Sequence, residues 1–161
     1  MSTILLDIDG VILPTRNSDP WGHFALLDWQ GEKRMIDEQM RSRVVRLFQL
    51  GEVVWCSAWN ERASVLARSL AVPEKPFLPF TIESNRWANK SSFEEMSWKL
   101  HSISTWDDGK TPLIWIDDDI KDDAFLWQEE RPGATLLIKT EEAVGLLDSH
   151  IEEVASFLQG L

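Results

Sequence analysis

The feature that most constrains the fold is a short apolar run near the start of the sequence that ends on two aspartates. Residues 3–11 read T-I-L-L-D-I-D-G-V. The first four residues are too few for an amphipathic helix and do not alternate, which predicts a strand covered on both faces. In extended backbone, the carboxylates of Asp7 and Asp9 project from the same side of the chain, and Gly10 permits a turn. Ligands bind at the carboxyl ends of strands in open α/β sheets, but this motif alone is more typical of an ordinary Asp-rich turn.

Length and composition predict one soluble domain. The 161 residues fit a single domain, 1–161, with residues 12–33 as a loop, small hairpin or flap. Cys56 is the only cysteine, so we expect no disulfide within the chain and a reducing, cytoplasmic location. No apolar run approaches the ~20 residues that span a bilayer, and no basic segment precedes a long apolar stretch at the start. We therefore expect no membrane partner.

The charge balance of the sequence bears on whether a nucleic acid or a metal ion is an expected partner. Lysine and arginine total 16 against 27 aspartates and glutamates, which gives a net charge of -11. This charge disfavours a nucleic-acid partner held mainly through its phosphates, without excluding one. Part of the acidic excess is concentrated in residues 117–123, as a divalent-cation site would require.

Strand and helix patterns alternate along the rest of the chain. Further strands are predicted at residues 52–57, 76–82, 112–116 and 134–138, of which 76–82 contains two prolines and fits an edge strand or a partly irregular segment. Helices are predicted at residues 34–50, at 60–71 with Asn60 as N-cap, and at 120–130. Residues 83–108 fit a helix or an ordered loop.

A C-terminal helix completes the alternation. Thr140 is placed as its N-cap. Its predicted apolar stripe is Val144, Leu147, Ile151, Val154 and Leu158. The order of elements predicts an α/β fold, a Rossmann-like three-layer sandwich around a central parallel sheet.

Polar residues follow three of these predicted strands. They are Asp7 and Asp9 after the first, Ser57 after the second, and Asp117, Asp118 and Asp119 after the strand at 112–116. Because the carboxyl ends of parallel strands share one edge, we expect these groups to converge. Clustered carboxylates are costly unless a cation neutralises them, and Mg2+ prefers oxygen ligands. Residues 117–123 taken alone also fit a solvated acidic helix start.

These motifs together resemble the haloacid dehalogenase (HAD) superfamily. Its first motif is similar to D-I-D-G-V at residues 7–11, its second to Ser57 after an apolar strand, and its fourth to I-D-D at 116–118. The third motif is a lysine, for which Lys99 and Lys90 are both candidates and Lys99 is preferred. The run W-C-S-A-W at 55–59 resembles the HAD domains of RNA-repair proteins.

The resemblance implies a Mg2+-dependent phosphatase that forms an aspartyl-phosphate. Asp7 would be the nucleophile, Asp9 the general acid and base, and Ser57 and Lys99 the groups that contact the phosphoryl oxygens. The implied substrate-binding residues are Ser57, Ala58, Trp59 and Lys99. The implied Mg2+ ligands are Asp7, the Asp9 backbone carbonyl, and either Asp117 or Asp118, with Asp118 slightly preferred.

The segments between the motifs leave little room for a cap domain. We therefore expect a HAD-like fold with no or a minimal cap and an open site, which accepts a large substrate or relies on residues 21–29 or a second subunit to exclude water. The expected partner is a phosphorylated small molecule or a nucleic-acid end, and the oligomeric state is left open. Two alternatives are a catalytically idle HAD-like module that binds a phosphorylated ligand or partner, and, ranked last, a phosphoacceptor domain of the receiver kind.

Overall fold

The computed structural model describes residues 1–14, 24–27, 33–81 and 96–161, with only the backbone described for 24–27 and 33–35. In chain order the elements are β1 (Thr3–Leu6), β2 (Phe24–Leu27), β3 (Lys33–Ile36), α1 (Glu38–Leu50), β4 (Glu52–Trp55), α2 (Ala63–Ser69), α3 (Leu100–Trp106), β5 (Leu113–Asp117), α4 (Asp122–Glu130), β6 (Thr135–Lys139) and α5 (Asp148–Gln159). A 3-10 turn, Asn60–Arg62, leads into α2.

Four strands form one parallel sheet in the order β4, β1, β5, β6. The register pairs Leu6 of β1 with Trp55 of β4 on one side and with Ile116 of β5 on the other. Because β1 is interior, it lies between two neighbours and two helical layers, and Ile4, Leu5 and Leu6 are fully buried. The predicted α/β fold with a central parallel sheet is therefore confirmed, and the described residues contain no separate cap domain.

Alternate side chains of each strand supply two cores, one on each face of the sheet. The first core contains Ile4, Leu6 and Ile116 and packs against residues of α1, α2 and α5. The second contains Leu5 and Trp115 and packs against α3 and α4. With both faces covered, the strands are continuous apolar runs, as the first run of the sequence indicated.

The helix predicted at residues 34–50 begins later than expected, at Glu38. Residues 33–36 instead form β3, which pairs antiparallel with β2 as a hairpin. The Asp37 carboxylate accepts a hydrogen bond from the Met40 N–H at 2.7 Å and so caps α1. The helical spacing of Ile36 misled the prediction, because this residue is buried in the same core from the preceding strand. Residues 15–23 and 28–32 of the predicted flap lie outside the described residues.

Residues 76–82 are predicted as an edge strand or a partly irregular segment, and the part that the structure describes is irregular. Residues 76–81 form only an isolated bridge, between Phe77 and Trp55. The prediction that Asn60 is a helix N-cap was wrong. Its side chain accepts a hydrogen bond from the Phe80 N–H at 2.9 Å and donates one to the Phe80 carbonyl at 3.1 Å. The Asn60 side chain therefore fixes the position of this irregular segment, which does not join the sheet as a strand.

The last helix also begins later than predicted. The Thr140 hydroxyl donates to the Gly10 carbonyl at 2.8 Å rather than capping a helix. A turn at residues 141–145 follows, and α5 begins at Asp148. Val144 and Leu147 lie before the helix and are exposed, so the buried stripe begins only at Ile151.

None of the helices in the described ranges combines the length and the apolar character that crossing a bilayer requires. The cytoplasmic location and the single-domain boundaries stay predictions.

Candidate active site

The parallel register brings the ends of β1, β4 and β5 to one edge of the sheet. The Asp7 N–H donates to the Ile116 carbonyl at 3.1 Å, and the Cys56 N–H donates to the Leu6 carbonyl at 2.9 Å. Each strand is therefore hydrogen-bonded to its neighbour up to the point where its polar residues begin. Asp7, Ser57 and Asp118 reach the same cavity as a consequence.

This cavity has a volume of about 330 Å³. Its lining residues are Asp7, Asp9, Ser57, Ala58, Trp98, Lys99, Asp118, Asp119 and Glu142. Of the residues singled out in the sequence, Asp117 and Trp59 lie beside this set and not on the cavity wall. Lys90, the other candidate for the third motif, lies outside the described residues.

Lys99 joins two of the buried carboxylates. Its Nζ lies 2.9 Å from Asp7 Oδ2 and 2.6 Å from Asp117 Oδ2, and its side chain is 3% exposed. Burial lowers the pKa of Lys99, but the charges of Asp117 and Asp7 outweigh burial, so this pKa lies above its usual value. Lys99 is therefore protonated wherever the protein is folded at ordinary pH.

The segment before α3 is tied to the start of α4, which fixes the position of Lys99. The Ser97 hydroxyl donates to Asp123 Oδ1 at 2.7 Å and accepts from the Lys121 N–H at 2.8 Å. Both carboxylate oxygens of Asp123 also accept from the Ser97 N–H. The lysine is thus placed by a contact between two segments far apart in the sequence.

Asp117 is fully buried and both of its oxygens are used within the protein. Oδ2 accepts from Lys99 and from the Trp115 indole N–H at 3.1 Å, and Oδ1 accepts from the Asp119 N–H at 2.9 Å. This carboxylate orients Lys99 from behind the cavity wall.

Asp118 is less buried than Asp117 and lines the cavity. Burial and the neighbouring Asp117 charge raise the pKa of the Asp118 carboxyl to about 6. The chain leaves little space around it, since a Cβ on Gly10 would lie 2.5 Å from the Asp118 carboxyl carbon. Gly10 also has a φ of +75°, which favours glycine.

A donor set for a hard cation is present. One carboxylate oxygen each from Asp7, Asp117 and Asp118 lie within 4.8 Å of one another. Burial and Asp117 raise the pKa of Asp7 well above its usual value, although Lys99 opposes them. One lysine therefore does not neutralise the cluster. All-oxygen donors with excess negative charge fit Mg2+.

Trp59 donates hydrogen bonds to both Asp9 and Ser57. The Trp59 indole N–H donates to Asp9 Oδ2 at 3.0 Å, and the Trp59 backbone N–H donates to Ser57 Oγ at 3.3 Å. Trp59 is 3% exposed. Ala58, predicted with it as a substrate contact, is exposed and lines the cavity.

Sequence reasoning did not identify Trp98 and Glu142, which also line the cavity, and it placed Asp119 at this edge without giving it a role. Trp98 precedes Lys99 in the segment whose pattern did not decide between helix and loop. Its position next to the candidate lysine was the available signal.

Residues 3–151 match the family model for the HAD domain in Swiss Army Knife RNA repair proteins. No curated protein and no solved structure gives a significant match. The family match spans most of the chain, and the four-stranded parallel sheet is consistent with a HAD fold. The chain therefore belongs to the family of HAD domains found in Swiss Army Knife RNA repair proteins.

Proposed function

We propose that the protein is a Mg2+-dependent phosphatase that hydrolyses a phosphomonoester through an aspartyl-phosphate on Asp7. The observation that carries the proposal is the 2.9 Å ion pair between Lys99 Nζ and Asp7 Oδ2, in a cavity that also holds Asp9, Ser57 and Asp118. A nucleophile, an acid, a phosphate-binding cation and a metal ligand are then within one small space.

In the first step, a carboxylate oxygen of Asp7 attacks phosphorus. A new O–P bond forms, the ester P–O bond breaks, and the leaving alkoxide takes a proton from the Asp9 carboxyl group. The Trp59 indole, 3.0 Å from Asp9 Oδ2, holds this acid in place.

In the second step, Asp9 acts as the base. It takes a proton from a water molecule whose oxygen attacks the phosphorus of the aspartyl-phosphate. The bond between phosphorus and Asp7 breaks, inorganic phosphate leaves, and both aspartates return to their starting forms.

Lys99 and Ser57 stabilise the charge that develops on the phosphoryl oxygens. Lys99 keeps its charge because its pKa is raised, and the Ser57 hydroxyl accepts from Trp59 N–H, which leaves its own hydrogen to donate. Mg2+, when bound, neutralises negative charge on the carboxylates and on the phosphoryl oxygens. We assign its ligands as Asp7, the Asp9 carbonyl and Asp118, because both Asp117 oxygens already accept hydrogen bonds from Lys99, Trp115 and Asp119.

The substrate is a phosphorylated small molecule or a nucleic-acid end. The matched family consists of HAD domains in RNA repair proteins, which supports the end of a nucleic acid. The net charge of -11 weighs against extensive contacts with the phosphate backbone, so such an end would be held by few nucleotides.

The direct experiment is phosphate release from a panel of phosphomonoesters, with and without Mg2+. The proposal predicts metal-dependent release that Asp7→Asn abolishes. Asp108→Asn is the matched control, since Asp108 is exposed, lies before the opposite end of β5, and accepts backbone hydrogen bonds that an amide oxygen can also accept. Normal binding of a phosphorylated ligand without any release would instead support the idle binding module.

A further inference from the structure

Trp98 is a half-buried aromatic residue on the cavity wall that the proposed chemistry does not use. Lys99 Nζ lies over its ring, 5.2 Å from the ring centroid. The group that would contact a phosphoryl oxygen is therefore adjacent to an aromatic surface. A substrate whose phosphate reaches Lys99 brings the atoms next to that phosphate close to Trp98.

The Trp98 ring is held in place before any substrate binds. It packs against the Phe80 ring with the centroids 5.0 Å apart and the planes at 56°. Phe80 is itself fixed, because its backbone N–H and carbonyl are both hydrogen-bonded to the Asn60 side chain. Asn60 has a φ of 49°, a conformation that is uncommon for residues other than glycine. A surface that is already ordered loses little entropy when a planar ligand stacks on it.

The charge of the cavity favours stacking over phosphate contacts as the means of recognition. Asp119 and Glu142 line the same cavity as Trp98, and Lys99 is the only cationic residue among the described residues that line it. One cation suits the single phosphate that is to be removed. Further phosphates of a polynucleotide would meet negative charge, whereas stacking of a base on an aromatic ring tolerates it.

We propose that Trp98 is a stacking surface for the nucleobase next to the phosphate that is removed, and so selects nucleotides or nucleotide ends over phosphates without a base. This inference rests on the proposed phosphatase function for its kinetic test. The ligand class is a nucleoside monophosphate, either free or as the phosphorylated terminal nucleotide of a single strand.

The test compares Trp98→Phe and Trp98→Leu with the wild type, using adenosine 3′- and 5′-monophosphate and ribose 5-phosphate. We expect Trp98→Leu to lower the ratio of kcat/KM for the nucleotide to that for ribose 5-phosphate about tenfold, mainly through KM, because stacking on an aromatic residue contributes this order of affinity. Trp98→Phe keeps a ring and should lose less. The matched control is Trp106→Leu, since Trp106 is an exposed tryptophan at the far end of α3.

An unchanged ratio in Trp98→Leu, with hydrolysis retained, overturns the inference while leaving the phosphatase proposal intact. A phosphotyrosine peptide serves as a further substrate. If Trp98→Leu lowers kcat/KM for this peptide and not for the nucleotides, the inference is overturned as well. Thermal unfolding checks that both Trp98 variants are folded, and the phenylalanine variant keeps the test valid if the leucine variant is not.

Binding of adenosine monophosphate by calorimetry needs no turnover and separates the two proposals. About tenfold weaker binding to Trp98→Leu supports stacking even if the wild type releases no phosphate, and equal binding refutes it. Repeating the comparison with an oligonucleotide that carries a terminal phosphate identifies the source. A similar loss for the oligonucleotide assigns a nucleic-acid end, and a loss confined to the mononucleotide assigns a small molecule.

Discussion

The indole N–H of Trp59 donates a hydrogen bond to Asp9 Oδ2 at 3.0 Å, although the two residues are fifty positions apart in the chain. Trp59 is almost completely buried, and its backbone N–H also contacts the Ser57 hydroxyl. One residue therefore supports both a proposed acid and a proposed phosphate-binding hydroxyl. We therefore propose that Trp59 is a positioning residue, and it does not itself line the cavity.

Trp59→Phe removes the indole N–H and keeps most of the buried ring. Hydrogen bonds to charged groups contribute about 1.5 to 3 kcal/mol, so we expect kcat to fall roughly tenfold or more with little change in KM. Steady-state kinetics with an alkyl phosphate, which needs protonation of its leaving group, measures the effect. An aryl phosphate with a good leaving group should be less affected in the first step. Equal kcat values for variant and wild type on the alkyl phosphate would exclude the positioning role.

Lys99→Met leaves two buried carboxylates without their cation. Removing one partner of a buried ion pair costs about 3 to 5 kcal/mol, so the free energy of unfolding should fall by at least about 3 kcal/mol in the absence of metal. Urea unfolding at neutral pH measures this loss. Lys110→Met is the control, because Lys110 is exposed. Unfolding free energies that agree within error between Lys99→Met and the wild type would show that the ion pair contributes no stability.

The pKa of Asp118 predicts that metal affinity depends on pH. Burial, followed by the charge of Asp117, raises this pKa to about 6, so below pH 6 the carboxyl is increasingly protonated and a proton competes with the cation. The affinity for Mg2+ should fall at least about tenfold between pH 7 and pH 5, and protonation of Asp7, whose pKa is also raised, acts in the same direction. Calorimetric titration at pH 7.5 and pH 5 gives the ratio. An affinity that is equal or higher at pH 5 contradicts the assignment of Asp118 as a ligand.

Gly10→Ala should weaken metal binding as well as stability. A Cβ at this position would lie 2.5 Å from the Asp118 carboxyl carbon and must displace it, in addition to the strain of a φ of +75°. Gly109→Ala is the matched control, since Gly109 has a φ of +71° and nothing within 4 Å of the added Cβ. Both variants should lose about 1 kcal/mol from backbone strain, and only Gly10→Ala should lose Mg2+ affinity. Equal Mg2+ affinities for the two variants would mean that Asp118 is not needed for the cation.

Much of the fold follows from local sequence pattern. The apolar runs that become β1 and β5 are buried on both faces, so they are continuous in the sequence and their ends are marked by Asp7 and Asp117. Parallel pairing then brings the strand ends together. For this reason the sequence was sufficient to predict that Asp7, Ser57 and Asp118 are neighbours.

The features that the sequence did not reveal depend on contacts between distant segments. Thr140 has a side chain that could cap a helix, but its hydroxyl donates a hydrogen bond to the Gly10 carbonyl instead. Asn60 likewise has the side chain of a cap and holds Phe80 instead. The contact between Trp59 and Asp9 has no local pattern, because only the pairing of β1 with β4 brings them within reach.

The central claim is that Asp7 carries a phosphoryl group during the reaction, and the most direct measurement is to trap it. Asp9→Asn should accept phosphate from an aryl phosphate, whose leaving group needs no acid, but lacks the base for the second step. Acid quenching followed by peptide mass spectrometry should then find one phosphoryl group on Asp7 in this variant, and none when Asp7→Asn is added. Turnover without a phosphorylated Asp7, or a phosphoryl group on another residue, would contradict the account.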